Sequence, residues 1–254
     1  MHEPIGVLTA MPDEMRALLA ALETRERIEH GRRVFAVGTL FGREAVLVEA
    51  RIGKVAAAAA ATELIARFGV RTLLFTGLAG GLAPGIAVGD IVVGEELAQH
   101  DLDASPLFPA MEIPLLGRSR LPADADLSER LARAAAAFLG EDLRSAFLPE
   151  VIAELGIGVG NGGPRVHRGL VVSGDRFVSS DAEAAALRGR VPDALCVEME
   201  GAAVAQVAYE YGIPFGIVRA ISDTADDHAA TAFPKALGTL AAAYASGILR
   251  RALG

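Results

Sequence analysis

The chain has 254 residues and a formal net charge of −8, with 52% hydrophobic and 22% charged residues. This composition excludes intrinsic disorder, and the negative charge argues against binding to nucleic acid or to an anionic membrane surface. With Cys196 as the single cysteine, no intramolecular disulfide can form, which excludes a disulfide-built secreted scaffold.

No segment of the sequence predicts a targeting peptide or a membrane span. The N-terminus lacks the basic flank of a signal peptide. Residues 72–89 carry no charge, but several glycines and Pro84 interrupt this stretch, which favours a strand, a tight loop and a second strand. We therefore expect a cytoplasmic protein. Because no linker rich in Pro, Gly or Ser divides the chain, we expect one domain over residues 1–254.

In the first half of the chain, short apolar runs alternate with helical stretches, which favours an α/β architecture. Pro12 suits the first turn of a helix, Gly69 suits a helix end, and Phe41-Gly42 suits a hairpin turn. The pattern predicts strands at 5–10, 33–40, 43–49, 72–76 and 90–94, and helices at 12–22 and 54–68.

The second half begins with an irregular, Pro-rich stretch at 105–117. Two sequences then match the capping box that opens a helix, Asp126-Leu-Ser-Glu129 and Ser180-Asp-Ala-Glu183. The first of these helices is expected to reach about Leu139. Further strands are predicted at 169–173, 194–198 and 213–220, and further helices at 200–211 and 234–253.

Three other patterns do not indicate a cofactor or metal site. Residues 158–163 match the glycine spacing of a dinucleotide-binding loop, but Pro164 and a strand follow where that loop needs a helix, which favours an ordinary glycine-rich loop. Neither His100-Asp-Leu-Asp103 nor the acidic cluster at 223–228 has a regular metal-ligand spacing. We expect no metal and no cofactor, and an inert Cys196 thiol inside an apolar strand.

Three acidic residues follow predicted strands, at the sheet edge where open α/β folds build ligand sites. They are Glu14, Glu200 and Asp223. Each alone is explained by an ordinary role at a helix terminus. Three acids at equivalent edges, one of them in the apolar junction Val197-Glu-Met-Glu-Gly201, instead favour a site, since a buried charge needs a partner.

At these residues the sequence resembles a known family, the 5′-methylthioadenosine/S-adenosylhomocysteine nucleosidases of the purine nucleoside phosphorylase/hydrolase superfamily. The matching segments occur in family order over nearly the whole chain. They are Ile5-Gly-Val-Leu-Thr-Ala-Met-Pro-Asp-Glu14, Ile52-Gly-Lys-Val-Ala56, Thr76-Gly-Leu-Ala-Gly-Gly-Leu-Ala-Pro84 with Val88-Gly-Asp-Ile-Val92, Val172-Ser-Gly-Asp-Arg-Phe177, and Val197-Glu-Met-Glu200 with Arg219-Ala-Ile-Ser-Asp223. The resemblance implies a three-layer α/β/α domain around a twisted mixed sheet, a small-molecule nucleoside substrate and a homodimer.

The resemblance also assigns roles to individual residues. Glu14 matches the carboxylate that activates water, Asp223 the acid that protonates adenine N7, and Glu200 the carboxylate that binds the ribose hydroxyls. The implied substrate-binding residues are Met11, Ile52 and Phe233 around the ribose and 5′-thioalkyl group, Ala79 and Gly80 near the nucleophilic water, Phe177 stacked on the purine, Val178 at the adenine edge, Met199 against the sugar, and Ser222 beside Asp223.

Two features depart from the family pattern. Leu78 replaces the small hydroxyl residue usual in the Thr-Gly-x-Ala-Gly-Gly loop, which removes one expected contact to water. The stretch Ser105-Pro-Leu-Phe-Pro-Ala-Met-Glu-Ile-Pro114 differs from that of the enterobacterial enzymes. In the family this stretch crosses to the neighbouring subunit and closes the 5′ pocket, so the 5′ preference is the feature least determined by the sequence.

The implied reaction is hydrolysis of an N-glycosidic bond to release adenine and a thioribose. An acid must neutralise the leaving purine while an opposed carboxylate activates water. Asp223 must then keep a proton near pH 7 against a free pKa of about 3.9, which requires burial or a neighbouring carboxylate. Pairing of Asp223 with Arg219 would have the opposite effect, and the sequence leaves it open. The alternatives are a phosphorylase, a hydrolase of another nucleoside such as futalosine, and a non-catalytic nucleoside sensor.

Overall fold

A computed structural model describes residues 3–157 and 162–254. The strands are β1 (Ile5–Thr9), β2 (Leu22–His30), β3 (Arg33–Leu40), β4 (Arg43–Glu49), β5 (Thr72–Gly81), β6 (Ile91–Gln99), β7 (Leu121–Pro122), β8 (Val166–Ser173), β9 (Ala194–Glu198) and β10 (Phe215–Asp223). The helices are α1 (Pro12–Ala21), α2 (Lys54–Ala66), α3 (Ala125–Ala137), which continues as a π-helical turn (Phe138–Asp142), α4 (Leu143–Ala146), α5 (Pro149–Glu154), α6 (Asp181–Arg190), α7 (Gly201–Tyr211) and α8 (Ala229–Leu253).

The strands form one mixed sheet that is open at one end and closed at the other. The open part runs β2-β3-β4-β1-β5, with β1 parallel to both β4 and β5. Beyond β5 the sheet closes on itself, because β5 pairs with β10, β10 with β6, β6 with β8, β8 with β9, and β9 returns to the last residues of β5. The expectation of an α/β fold around a mixed sheet is confirmed.

Helices cover both faces of this sheet and give three layers. On one face α1, α3 and α8 pack together over an apolar cluster that contains Leu18, Leu131 and Tyr244. On the other face α2 packs against α7, and their small side chains let the two helices approach closely. Burial of these two apolar clusters is the dominant favourable contribution to folding.

The structure agrees with the predicted hairpin turn and with two of the predicted helix ends. The hairpin turn between β3 and β4 has positive φ at both Phe41 and Gly42, 48° and 80°, as a two-residue hairpin connection requires. Gly69 ends α2 with φ 67°. The Ser180 hydroxyl accepts the Glu183 N–H and caps α6 as predicted, but the box is incomplete because the Glu183 carboxylate accepts the N–H of Ser179 and not that of Ser180.

Several elements differ from the predictions. The strand β2 was missed, α8 begins at Ala229 although it contains Pro234, and the strands at 72–76, 90–94, 169–173 and 213–220 are longer than predicted. The predicted capping box at 126–129 is wrong: the Asp124 side chain accepts the Leu127 N–H and caps α3, so Asp126 lies inside the helix. The N-cap acid lies two residues earlier than predicted, and its carboxylate satisfies an N–H group that the start of the helix leaves free.

The glycine-rich stretch lies partly outside the described residues, which omit 158–161. Pro164 is followed by β8 from Val166, as the sequence indicated. In the described ranges, 3–157 and 162–254, no helix is long and apolar enough to cross a membrane.

Candidate active site

A cavity of about 450 Å³ opens where β1 leads into α1, β9 leads into α7, and β10 ends. Glu14, Glu200 and Asp223, which come from three distant parts of the sequence, all line it. The other predicted residues in its wall are Met11, Ile52, Ala79, Gly80, Phe177, Val178, Met199 and Phe233. The fold therefore brings together the residues that the sequence singled out.

Glu14 is held at one end of the cavity by backbone groups. It is the third residue of α1, and its Oε2 accepts the N–H groups of Ala10 and Met11 at 2.8 and 3.0 Å. Its Oε1 accepts the N–H of Leu78 in β5 at 3.0 Å. An acid at this position satisfies donors that the start of a helix leaves free. Burial raises the pKa of Glu14, while the nearby Arg219 opposes that rise.

Two further acids lie at the junction of β9 and α7. Glu198 accepts the N–H of Gly201 at 2.8 Å and the hydroxyl of Ser173. Glu200, the N-cap residue of α7, accepts the N–H of Gly53 at 2.9 Å. Burial and the adjacent Glu198 carboxylate together raise the pKa of Glu200 to about 8. Glu200 therefore keeps a proton to a higher pH than a free glutamate does.

Arg219 is the cation among these acids. Its guanidinium is 1% exposed, contacts the Glu198 carboxylate, lies 3.7 Å from Glu200 Oε2, and sits 4.2 Å from the centre of the Phe75 ring. Among the described residues its salt-bridge partners are Glu198 and Glu200, so the open question of an Arg219–Asp223 pair is answered in the negative. Asp223 is free of the cation that would lower its pKa.

Two glycines of β5 make room for these side chains. A Cβ at Gly77 would lie 2.7 Å from Glu14 Oε1 and would also clash with Arg219. A Cβ at Gly80 would lie 2.9 Å from Asp223 Oδ1. Glu14 and Asp223 therefore contact the same strand three residues apart, which corresponds to about 10 Å along an extended chain. Both carboxyl groups also line the cavity, so β5 is the element that connects them.

Asp223 is the last residue of β10 and is positioned by two hydrogen bonds. Its Oδ2 accepts the hydroxyl of Ser222 at 2.6 Å, and its Oδ1 accepts the N–H of Ala225 at 2.8 Å. Ser222 does not line the cavity, and its hydroxyl also lies 3.3 Å from the Ala79 carbonyl oxygen. Burial, with a smaller contribution from the Asp226 charge, raises the pKa of Asp223. This carboxyl keeps its proton to a higher pH than a free aspartate does.

Aromatic and aliphatic side chains line much of the rest of the cavity. The Phe177 and Phe233 rings meet edge to face, with their centres 5.6 Å apart. Phe177 is 40% exposed and Ile52 is 52% exposed, whereas core side chains of this size in the protein are almost fully buried. Such exposed apolar surface inside a concave site is typical of a ligand-binding wall.

Three charged residues of the cavity wall were not predicted as site residues, namely Arg176, Glu198 and Arg219. Arg176 lies at the surface and forms an ion pair with Glu183. The other two stand within apolar strands, where a buried charge requires a partner. That signal was present in the sequence, but it does not say which residue the partner is.

Leu78 leaves the position of Glu14 intact, although it lacks the hydroxyl expected there. Its N–H holds the Glu14 carboxylate, and its side chain is buried. A backbone donor serves equally well with any side chain at this position. The departure therefore removes a side-chain contact to water without disturbing the acid.

The acidic side chains that follow Asp223, in the cluster at 223–228, form local hydrogen bonds. Asp226 accepts the hydroxyl of Thr224 and the N–H of His228, and Asp227 accepts the N–H of Asp181 at 3.3 Å. Across the part of the chain that the structure describes, no three His, Cys, Asp or Glu residues are grouped to hold a metal ion. The Cys196 thiol is buried, which raises its pKa.

Comparison with known proteins agrees with this geometry. Residues 4–254 match the family model of the phosphorylase superfamily. The fold is similar to that of a 5′-methylthioadenosine/S-adenosylhomocysteine nucleosidase from Neisseria meningitidis in complex with methylthio-immucillin-A, with 34% identity, 99% of both chains covered and a TM-score of 0.85.

Two other solved structures extend the comparison. A nucleosidase of the same name from Colwellia psychrerythraea in complex with adenine is 30% identical, with 100% of this chain and 96% of that one covered and a TM-score of 0.84. The futalosine hydrolase of Helicobacter pylori is 31% identical, with 98% and 97% covered and a TM-score of 0.80. The chain therefore belongs to the phosphorylase superfamily and, within it, to the family of the 5′-methylthioadenosine/S-adenosylhomocysteine nucleosidases.

Proposed function

We propose that the protein hydrolyses the N-glycosidic bond of 5′-methylthioadenosine and S-adenosylhomocysteine, releasing adenine and the thioribose. The observation that carries this proposal is the pair of acids that line one cavity in different surroundings. Glu14 is fixed by three backbone N–H groups beside Arg219, while Asp223 has no cation nearby and a raised pKa. Two carboxyl groups in different environments can divide the roles of base and acid.

Asp223 is proposed as the acid that protonates the leaving purine at N7. Cleavage places negative charge on the purine, and a proton delivered to the ring neutralises it in the transition state. The raised pKa keeps this carboxyl protonated closer to neutral pH. Ser222 is a positioning residue here, because its hydroxyl holds one carboxyl oxygen and leaves the group oriented toward the base.

Glu14 is proposed as the group that activates the attacking water. Its carboxylate accepts three backbone N–H groups, which favour its ionised, basic form and oppose the rise in pKa that burial causes. Arg219 stabilises the negative form of the carboxylate. A fixed base at the sugar end and an acid at the purine end reproduce the arrangement of inverting glycosidases.

Glu200 and Met199 are proposed to hold the ribose, with Glu200 bonded to its hydroxyl groups. Phe177 and Val178 are proposed to bind the purine, the first by stacking. The apolar side chains of Met11, Ile52 and Phe233 fit a thioalkyl substituent at the 5′ position. All of these residues share the cavity with the two acids, which supports a nucleoside-sized ligand.

Water rather than phosphate is the proposed nucleophile. A phosphate dianion beside the ribose needs converging arginines or free backbone donors. Arg219 is committed to Glu198, and Arg16 lies outside the cavity, where it pairs with Asp13 at 3.2 Å. Product analysis in phosphate-free buffer tests this directly, because a phosphorylase would lose activity there and would form a sugar 1-phosphate when phosphate is added.

Two alternatives compete with this proposal, one with a different substrate and one without catalysis. The futalosine hydrolase of Helicobacter pylori is similar to this chain at nearly the same identity as the nucleosidases, so the 5′ substituent is the open feature. A non-catalytic sensor would need the binding wall but neither the base nor the acid. The presence of both in a single cavity favours an enzyme.

A homodimer is proposed to complete the 5′ end of the cavity. Several large apolar side chains lie exposed beside Ile52 in the sequence or on the Pro-rich stretch at 105–117, namely Val55 at 83%, Leu107 at 84% and Leu115 at 93%. Exposed apolar surface of this kind favours burial against a second copy. Sedimentation equilibrium of the protein would test the dimer.

The experiment that tests the proposed function is a substrate panel. Purified protein is incubated with methylthioadenosine, S-adenosylhomocysteine, adenosine, inosine and futalosine, and release of the base is followed. We expect kcat/KM to be highest for the two 5′-thio adenine nucleosides. A preference for futalosine would support the second candidate, and no turnover of any compound would support the sensor.

A further inference from the structure

A second cavity of about 300 Å³ lies between α1 and the strands β3 and β4. Its apolar wall is formed by Met15 and Leu19 of α1 together with Ala36, Leu47 and Val48 of the sheet. The cavity is separate from the proposed nucleoside site, since the two share no lining residue. They are nevertheless neighbours, because Pro12 and Arg51 line this cavity while Met11 and Ile52 line the other.

Four arginines surround this second cavity in a protein whose net charge is −8. They are Arg27, Arg32, Arg33 and Arg51. Within the described residues none of the four forms a salt bridge, whereas Glu49 is the acid in the cavity wall. The wall therefore carries an excess of positive charge over an apolar floor.

Arg33 carries a donor that lacks an acceptor. Its Nη2 donates to the carbonyl oxygens of Ala50 and Ala56 at 3.2 and 2.9 Å, which fixes the guanidinium. Its Nε is buried and has no hydrogen-bond partner among the described residues. The Arg33 guanidinium is therefore fixed through one nitrogen, while its Nε–H is free of protein acceptors among the described residues.

Two of the arginines are held in an uncommon backbone conformation. Arg32 has φ 61° and Arg51 has φ 71°, in the left-handed region that side chains other than Asn, Asp and Gly seldom adopt. The Arg51 guanidinium also donates to the Arg32 carbonyl oxygen, so the two segments are tied together. At Arg32 this conformation belongs to the two-residue hairpin turn Gly31-Arg32 between β2 and β3, whereas Arg51 lies in the loop between β4 and α2, and backbone strain at such a loop position is common at ligand clamps and active sites.

We propose that this cavity binds a small organic anion, namely a phosphate or carboxylate group attached to an apolar body. Guanidinium groups bind both anions through paired, charge-assisted hydrogen bonds. The apolar floor formed by α1 and the sheet accommodates the uncharged part of such a molecule. A volume of about 300 Å³ suits a small metabolite and excludes a folded partner.

The test uses phenyl phosphate as the probe, titrated into the full-length protein by isothermal calorimetry in the presence of saturating adenine. Adenine occupies the proposed purine site, so that binding there does not interfere. We expect phenyl phosphate to bind with one site per chain and phenol, which has no charged group, to give no heat of binding. Inorganic phosphate, which lacks the apolar body, should bind at least about tenfold more weakly.

Matched variants connect this binding to the arginines. Arg32→Asn with Arg51→Asn removes two guanidinium groups while placing at each position a residue that tolerates a left-handed backbone. The control is Arg130→Gln, which removes a charge from the exposed face of α3, away from both cavities. The double variant should weaken phenyl phosphate binding by at least about tenfold, and the control by less than about twofold.

Four outcomes would overturn the proposal. They are the absence of phenyl phosphate binding to the folded wild type, equal binding of phenyl phosphate and phenol, equal binding of phenyl phosphate and inorganic phosphate, and unchanged affinity in the double variant. Circular dichroism confirms that the variants are folded. Sedimentation of the double variant adds one further test: if it loses a dimer that the wild type forms, the arginines serve an interface between copies instead.

Discussion

The two ends of the proposed nucleoside site are stabilised in different ways. At the ribose end, Glu14, Glu198 and Glu200 surround Arg219, and every one of these side chains is at most 6% exposed. At the proposed purine end, Asp223 forms no salt bridge within the described residues, and Phe177 of the same cavity wall is 40% exposed. The ribose end is thus part of the packed core, whereas the purine end is an open wall with one oriented acid.

Because of this difference, substitutions at the two ends should affect different properties of the protein. Buried charges that depend on one another contribute to the folded state, so replacing one of them affects stability as well as activity. An exposed ring or a single hydrogen-bonded acid can change with little loss of stability. We therefore expect loss of the central cation at the ribose end to lower the melting temperature, and variants at the purine end to lower only rate or affinity.

The largest effect is expected for Arg219→Met. Removal of the guanidinium leaves Glu198 and Glu200 buried without a cation, which should cost about 3–5 kcal/mol in the free energy of unfolding. Urea denaturation measures this change. The added substitution Glu198→Gln removes one of the uncompensated charges and should recover part of the loss. Unchanged stability of Arg219→Met would contradict the difference between the two ends.

Glu14→Gln is expected to lower kcat by at least ~100-fold, the scale of general acid–base catalysis. A glutamine amide cannot accept a proton from water, and its NH₂ group also faces the N–H donors of Ala10 and Met11. Steady-state release of adenine measures kcat. The matched control is Asp13→Asn, which changes the neighbouring exposed acid of the same helical turn and should leave kcat within about twofold of wild type.

Phe177→Ala is expected to weaken the binding of an adenine-containing inhibitor by about 1–3 kcal/mol, by analogy with base stacking on aromatic side chains. Because the ring is 40% exposed, the melting temperature should change little. Calorimetric titration and thermal melting of the same preparation separate the two effects. A large loss of melting temperature with unchanged affinity would assign the ring to the core.

The smallest effect concerns pH and Glu200. Its pKa of about 8 in the folded protein lies above the ordinary value of 4.5, so the folded state binds the proton more tightly than the unfolded state. The stability from this group is fully present below pH 4.5 and is lost as the pH rises toward 8. Glu200→Gln should therefore gain melting temperature relative to wild type between pH 5 and pH 9. A constant difference across this range would contradict the raised pKa.

Much of the fold was predictable because its signals are local. The strands at the site are continuous apolar runs, and the helices beside them begin or end at Pro12, Gly69 and Gly212. β2 was missed because Leu22–His30 is charged and largely exposed, and its strand conformation depends on pairing with β3. Closure of the sheet through β9 and β10 depends on pairings between distant segments that no local pattern encodes.

The site was partly predictable because its acidic residues directly follow apolar strands, where an acid is uncommon. Glu14, Glu200 and Asp223 were found because each follows an apolar strand, and the resemblance to known nucleosidases supplied their neighbours. The pairing of Arg219 with Glu198 was not predictable, since it depends on which strands lie side by side in the closed part of the sheet. The acidic residues of the site could therefore be found from the local sequence, whereas the salt-bridge partner of Arg219 required the fold.

The most direct test of the account is the rate of adenine release by Asp223→Asn. This variant keeps the shape of the side chain and a hydrogen-bond acceptor for the Ser222 hydroxyl, but it cannot deliver a proton to the purine. Asp227→Asn, which changes an acid of the same segment outside the cavity, is the matched control. The account predicts that Asp223→Asn, folded by circular dichroism, loses at least ~100-fold in kcat with methylthioadenosine, while the control retains it. A folded Asp223→Asn protein with near wild-type kcat would contradict the account.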